Sequence, residues 1–235
     1  MSRTSSLEIE YPSSDGKPMA ESDLHRDWMV RIIELLIAHF AGQKVYVSGN
    51  LLIYYVEGDP RKCMAPDAFV VKDCDPRRRK IYKLWEEGKS PCFVLETTSD
   101  STRGEDQQAK MRLYARLGVA EYFLYDPLGD WLEPPLLGYR IMGGGYVPLE
   151  PDNEGGILSE ELGIIFRLEE GQLALFNAST GSRLQTAAER VKGAEHRLQE
   201  AEAEIHEAEV RAQEAEARAK ALEEELNRLR GQQGP

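Results

Sequence analysis

Apolar residues Trp28, Met29, Ile32, Ile33, Leu36, Ile37 and Phe40 recur at the spacing of one helix face. This predicts an amphipathic helix over residues 21–40 with Ser22 as its N-cap. The pattern then shortens. Residues 44–48 and 51–56 are two β-rich runs parted by Gly49-Asn50, the signature of a hairpin. Two further apolar runs, 68–71 and 92–95, read as strands; between them Tyr82, Trp85 and Glu86-Glu87 read as a short helix ended by Gly88. Asp100, Ser101 and Thr102 each suit the N-cap of a helix running to Leu117. Glu105 stands at capping-box spacing from Thr102, and Gly118 fits the C′ stop. A strand at 121–125 follows and ends at Asp126-Pro127. Strand, helix and strand in that order imply a βαβ-like crossover and a mixed, partly parallel sheet. Weaker strand signals at 138–141, 146–149 and 162–168 would wrap the sheet edge.

From Leu184 the period changes. Counting in sevens gives Leu184, Val191, Leu198, Ile205, Ala212, Ala219 and Leu226; offset by three run Ala187, Ala194, Ala201, Ala208, Ala215, Leu222 and Leu229. No charge interrupts either series. Residues 182–230 are therefore predicted to be a coiled-coil helix, and the chain a homo-oligomer through 184–229. Alanine fills the middle of the seam, so paired helices would lie close and bury little per layer. The competing reading is a single solvated helix, which alanine's propensity favours. The chain thus divides into an N-terminal arm (1–20), a globular domain (21–178) and the helical tail (182–230).

Composition narrows this picture. A chain of 235 residues accommodates one medium domain and an appendage, and 41% apolar residues suffice for a core. The net charge of −12 counts against broad, non-specific affinity for a polyanion, although a local basic groove and a bound cation would offset an acidic average. Cys63, Cys74 and Cys92 are odd in number and read as reduced thiols, without zinc-ligand spacing. The first residues lack the apolar core of a signal peptide, and no run reaches membrane-spanning length. The expectation is a cytoplasmic protein with no membrane partner.

The candidate chemistry lies in three residues. Asp67 opens one strand, Glu96 closes another, and Lys110 follows within a helix. Carboxylates at neighbouring strand ends can converge on a hard cation such as Mg²⁺, which takes one or two carboxylates and fills its octahedron with water and phosphate. A lysine adds charge for a phosphate or an attacking water. Plainer readings compete with each assignment. Asp67 would be a polar strand-start residue after Pro66, and Lys110 an exposed lysine paired with Asp106 at i, i+4. Glu34 reads as solvent-facing and His25 as structural or exposed. Residues 77–80 (Arg77, Arg78, Arg79, Lys80) would be either a phosphate grip or a solvated charge run.

Four segments carry a resemblance: Ala-Pro-Asp-Ala-Phe-Val-Val at 65–71, Pro-Cys-Phe-Val-Leu-Glu-Thr-Thr-Ser at 91–99, Lys-Met-Arg-Leu-Tyr-Ala-Arg-Leu-Gly-Val at 110–119, and Glu-Tyr-Phe-Leu-Tyr-Asp-Pro at 121–127. In this order they resemble the Uma family of restriction endonucleases, within the PD-(D/E)XK nuclease superfamily, over residues 11–149. The resemblance implies a restriction-endonuclease-like α/β fold: a mixed, four-stranded core sheet flanked by helices, with Mg²⁺ or Mn²⁺ at the strand ends. It makes Asp67 and Glu96 the acids, with the Thr97 backbone carbonyl as a further metal ligand. The superfamily lysine usually stands two positions after the second acid, which here is Thr98; the resemblance moves that role to Lys110. The activity implied is metal-dependent endonucleolytic hydrolysis of nucleic acid, with DNA the expected substrate. Two alternatives stay open: a catalytically silent scaffold or binding protein that works through its tail, and a metal-free hydrolase using the two acids as an acid/base pair.

Overall fold

The computed structural model describes residues 9–14, 16, 22–98 and 105–231. Most of the expected N-terminal arm and the cap candidates Asp100, Ser101 and Thr102 lie outside the described residues. The chain forms two units, Met1–Thr186 and Ala187–Pro235. In chain order the first contains α1 (Asp23–His39), β1 (Val45–Ser48), β2 (Ile53–Tyr54), β3 (Cys63–Met64), β4 (Ala68–Lys72), β5 (Tyr82–Lys83), α2 (Leu84–Glu87) and β6 (Phe93–Thr97). It continues with α3 (Glu105–Arg116), β7 (Glu121–Tyr125), β8 (Leu136–Met142), β9 (Gly145–Pro148), β10 (Ile157–Ser159), β11 (Ile164–Glu169) and β12 (Gln172–Asn177).

α1 begins where the sequence expects. The Ser22 hydroxyl oxygen accepts the His25 N–H at 3.1 Å and satisfies one of the orphan donors of the first turn. Trp28, Met29, Ile32, Leu35 and Leu36 form the buried face, packed on the main sheet, while Glu34 and Ile37 point outward. Truncating one such residue, as in Leu36→Ala, costs about 2–5 kcal/mol through lost burial and the cavity left behind.

The main sheet has the order β1-β4-β6-β7-β8-β9. β4 and β6 lie inside it and are buried on both faces, which is why they read as continuous apolar runs instead of alternating ones. Ala68, Val70, Phe93 and Leu95 join α1 in one core cluster; Phe69, Val71 and Val94 join Tyr114 of α3 in the other. β6 and β7 are parallel, joined through α3 as the expected crossover. α3 stops at Gly118, whose φ of 76° is left-handed; there the Val119 N–H bonds back to the Tyr114 carbonyl at 3.0 Å.

Three expectations are corrected. Residues 44–56 form no hairpin. β1 pairs antiparallel with β4, and β2 belongs to a small sheet ordered β3-β2-β5. A Cβ on Gly49 would collide with the Asp67 carbonyl and the Ile33 side chain, and the Asn50 N–H bonds the Pro66 carbonyl at 2.7 Å. Gly49-Asn50 thus docks the chain against the start of β4 and does not fold it back on itself. The four-stranded sheet that the resemblance implies has six strands, because the β8–β9 hairpin extends the β7 edge. The segment expected to wrap that edge at 162–168 forms instead a separate antiparallel sheet, β10-β11-β12. Its Phe166 packs on Phe93 and Phe123, so it covers a face.

The second unit contains α4 (Ala187–Gly231), a continuous helix of 45 residues. Val191, Leu198, Ile205 and Leu222 along it are each more than half exposed. Among the described residues, no helix is long and apolar enough to cross a membrane.

Candidate active site

Asp67 stands one residue ahead of β4. The antiparallel register pairs Ala68 with Leu95, so one further step along that ladder sets Asp67 opposite Glu96. Both acids are nonetheless buried, Asp67 being 9% and Glu96 5% exposed. Ionised carboxylates in such places need partners.

Those partners come from α1, β6 and α3. The Asp67 Oδ2 accepts the Thr97 N–H at 2.7 Å, and His25 Nε2 lies 2.9 Å from the same oxygen, donating to it when the carboxylate is ionised. Glu96 is held from α3. Lys110 Nζ donates to Oε2 at 3.2 Å, and the Tyr114 hydroxyl donates to Oε1. Lys110 and Tyr114 are four apart, hence on one helix face, and between them grip both oxygens. α3 follows β6 in the parallel crossover, so chain connectivity itself brings these side chains back to the strand.

The electrostatics are those of a crowded acid pair. Burial, with Asp67 adding to it, pushes the Glu96 carboxyl up to about 7; Lys110 and Tyr114 oppose the rise. The Tyr114 phenol is held well above its ordinary value by burial and by Glu96. Near neutral pH, Glu96 is therefore poised between its acid and its anion.

The structure thus brings together Asp67, Glu96 and Lys110. Thr97 adjoins them and contributes its N–H to Asp67; its own hydroxyl is buried with no hydrogen-bond partner among the described residues. Two neighbours escape the sequence reading. His25, read as a lone structural or exposed histidine, is buried against Asp67. Its position, three before Trp28 and seven before Ile32, places it on the buried stripe of α1, and that is the available signal. Tyr114 is hidden among the apolar positions of α3. The run at 77–80 is not a free grip: Arg79 pairs with Glu87 at 2.7 Å and lies 4.2 Å over the Tyr46 ring, while Arg77, Arg78 and Lys80 are exposed. Asp126 is structural, its carboxylate accepting the N–H groups of Leu128, Gly129, Trp131 and Leu132. A cleft of about 560 Å³ lined by Arg112, Arg116 and Tyr146 lies along α3 and does not include the acids.

The donor set suits a hard divalent cation. Among the described residues no three His, Cys, Asp or Glu side chains are grouped to hold an ion, so the protein's own carboxylates here are two. Two facing, buried carboxylates, with Asp67 raising the cost of ionising Glu96, are a donor set that Mg²⁺ takes when water and substrate complete its shell.

No curated protein matches the chain. A solved structure from Anabaena variabilis, described as a "putative nuclease belonging to DUF820", is 17% identical with a TM-score of 0.45, covering 62% of this chain and 76% of that one. The Uma2 family model, described as "Putative restriction endonuclease", matches residues 3–189. That span takes in α1, both acid-bearing strands and α3, most of the chain in all; the protein belongs to the Uma2 family.

Proposed function

We propose that Asp67 and Glu96 jointly hold one divalent cation, Mg²⁺ or Mn²⁺, and that the protein is a metal-dependent endonuclease hydrolysing phosphodiester bonds of nucleic acid, with DNA the expected substrate. The observation that carries this reading is the facing pair of buried acids, one held by a lysine, in a chain of a nuclease family. The cation, when bound, supplies Lewis-acid polarisation of the phosphate and makes water more acidic. The protein's own groups do the rest. Lys110 favours the ionised form of Glu96 and presents positive charge to an incoming phosphate, where negative charge grows as water attacks phosphorus. His25 and the Thr97 N–H act as positioning groups that fix Asp67 Oδ2; Tyr114 does the same for Glu96 Oε1. Burial keeps bulk water from screening these charges.

The test is cleavage of plasmid, single-stranded DNA and RNA with Mg²⁺, with Mn²⁺ and with chelator. Cutting is expected to require metal and to fall by roughly a thousandfold in both Asp67→Asn and Glu96→Gln. Equal cutting by the variants, or none by the native chain on any substrate, contradicts the reading; the second result favours a scaffold that works through α4.

A further inference from the structure

The seam of α4 is flanked by charges whose order specifies how a partner must lie. With Val191, Leu198 and Ile205 at heptad position a, the e positions are Glu195, Glu202, Glu209, Glu216 and Glu223, and the g positions are Arg190, Arg197, Glu204, Arg211 and Arg218. In a parallel pair, each g residue meets the e residue five places on in the other chain. That sets Arg190 against Glu195, Arg197 against Glu202, Arg211 against Glu216 and Arg218 against Glu223; Glu204 against Glu209 is the one like-charged pairing. In an antiparallel pair, e faces e and g faces g. The same helix would then set glutamate against glutamate along one whole side.

We infer that α4 pairs with α4 of a second copy of this chain as a parallel, in-register, two-stranded coiled coil. Val191, Leu198 and Ile205 are 57–60% exposed, so the a positions are available to a partner. In-register pairing keeps every apolar layer and all four opposite-charge contacts. β-branched Val191 and Ile205 at a are compatible with two strands, and alanine at d lets the helices approach closely. Within one chain Arg211 pairs with Glu207 at 2.7 Å, an exposed contact too weak to withhold the guanidinium from Glu216 of a second copy. This inference does not depend on the nuclease reading, and its tests are independent of activity.

Measurements on the full chain decide it. Sedimentation equilibrium should give twice the chain mass. Oxidised A194C should form a symmetric A194C–A194C disulfide absent from the native chain, which controls for Cys63, Cys74 and Cys92. A mixture of A194C and A219C, positions that an antiparallel, seam-matched pair would set face to face, should yield no mixed A194C–A219C link by peptide mass spectrometry. E204R replaces the like-charged contact twice per dimer and should tighten association roughly tenfold. A monomer at tens of micromolar, a mass other than two chains, a mixed A194C–A219C link, or weaker association of E204R would each overturn the proposal.

Discussion

The two units break the same rule in opposite directions. The first buries acids where charges are seldom found, Asp67 and Glu96 among aromatic and aliphatic neighbours; the second exposes Val191, Leu198, Ile205 and Leu222 along its length. Each departure costs free energy in the isolated chain, and each indicates what would recover it. Buried anions are stabilised by a cation, and an apolar stripe flanked by ordered charge is stabilised by a second helix. The difference also separates the physics. In the first unit Glu96 depends on two particular side chains, Lys110 and Tyr114, within hydrogen-bond reach; α4 instead repeats one pattern over several heptads.

The sharpest way to break the contrast is Lys110→Met. Activity should fall about 10²–10³-fold, and because Lys110 lowers the Glu96 pKa, the acid limb of the pH–activity profile should move to higher pH. An unchanged profile would mean that Lys110 does not act on Glu96. In α4 the matching change is Ile205→Asp, which puts a charge into the seam and should weaken self-association roughly a hundredfold in sedimentation equilibrium.

Next in size is Tyr114→Phe, which leaves Glu96 Oε1 without its donor. It should cost about 1–3 kcal/mol in denaturant unfolding and raise the Glu96 pKa further, since the phenol's hydrogen bond lowers it. Glu96→Gln tests the burial of charge by stability alone. The folded-state pKa of about 7 lies above the ordinary 4.5, so in the native chain Glu96's contribution is fully present below pH 4.5 and is lost as pH rises through 7. In chelator, the variant should therefore be the more stable by roughly 1–3 kcal/mol above pH 7, with the advantage vanishing towards pH 4.5. Parallel curves for the two proteins would contradict this. At the small end, the exposed contact of Arg211 with Glu207 stands for the surface: Glu207→Ala should alter the melt by less than about 0.5 kcal/mol.

Much of this is legible in the residues, and the failures have physical causes. α1, the Gly118 stop and the β6–α3–β7 crossover follow from periodicity and capping, which are local. The 44–56 segment misleads because Gly-Asn is equally the chemistry of a tight turn and of a close approach; only the Asp67 carbonyl, eighteen residues on from Gly49, decides which. The acids and Lys110 stand out because they interrupt or border apolar runs. His25 does not: its partner is 42 residues away, and position on a buried stripe alone does not identify a contact. Tyr114 looks like one more core aromatic, since its ring packs as one and only its hydroxyl reaches Glu96.

At the centre of the account is a cation gripped jointly by two acids from facing strand ends. Calorimetric titration with Mn²⁺ at pH 8 tests it most directly, on the native chain, Asp67→Asn and Glu96→Gln. The account predicts one site per chain in the native protein and its loss in each variant, with both variants still folded by circular dichroism. Mn²⁺ binding that survives either substitution unchanged, or a native chain that binds none, would contradict it.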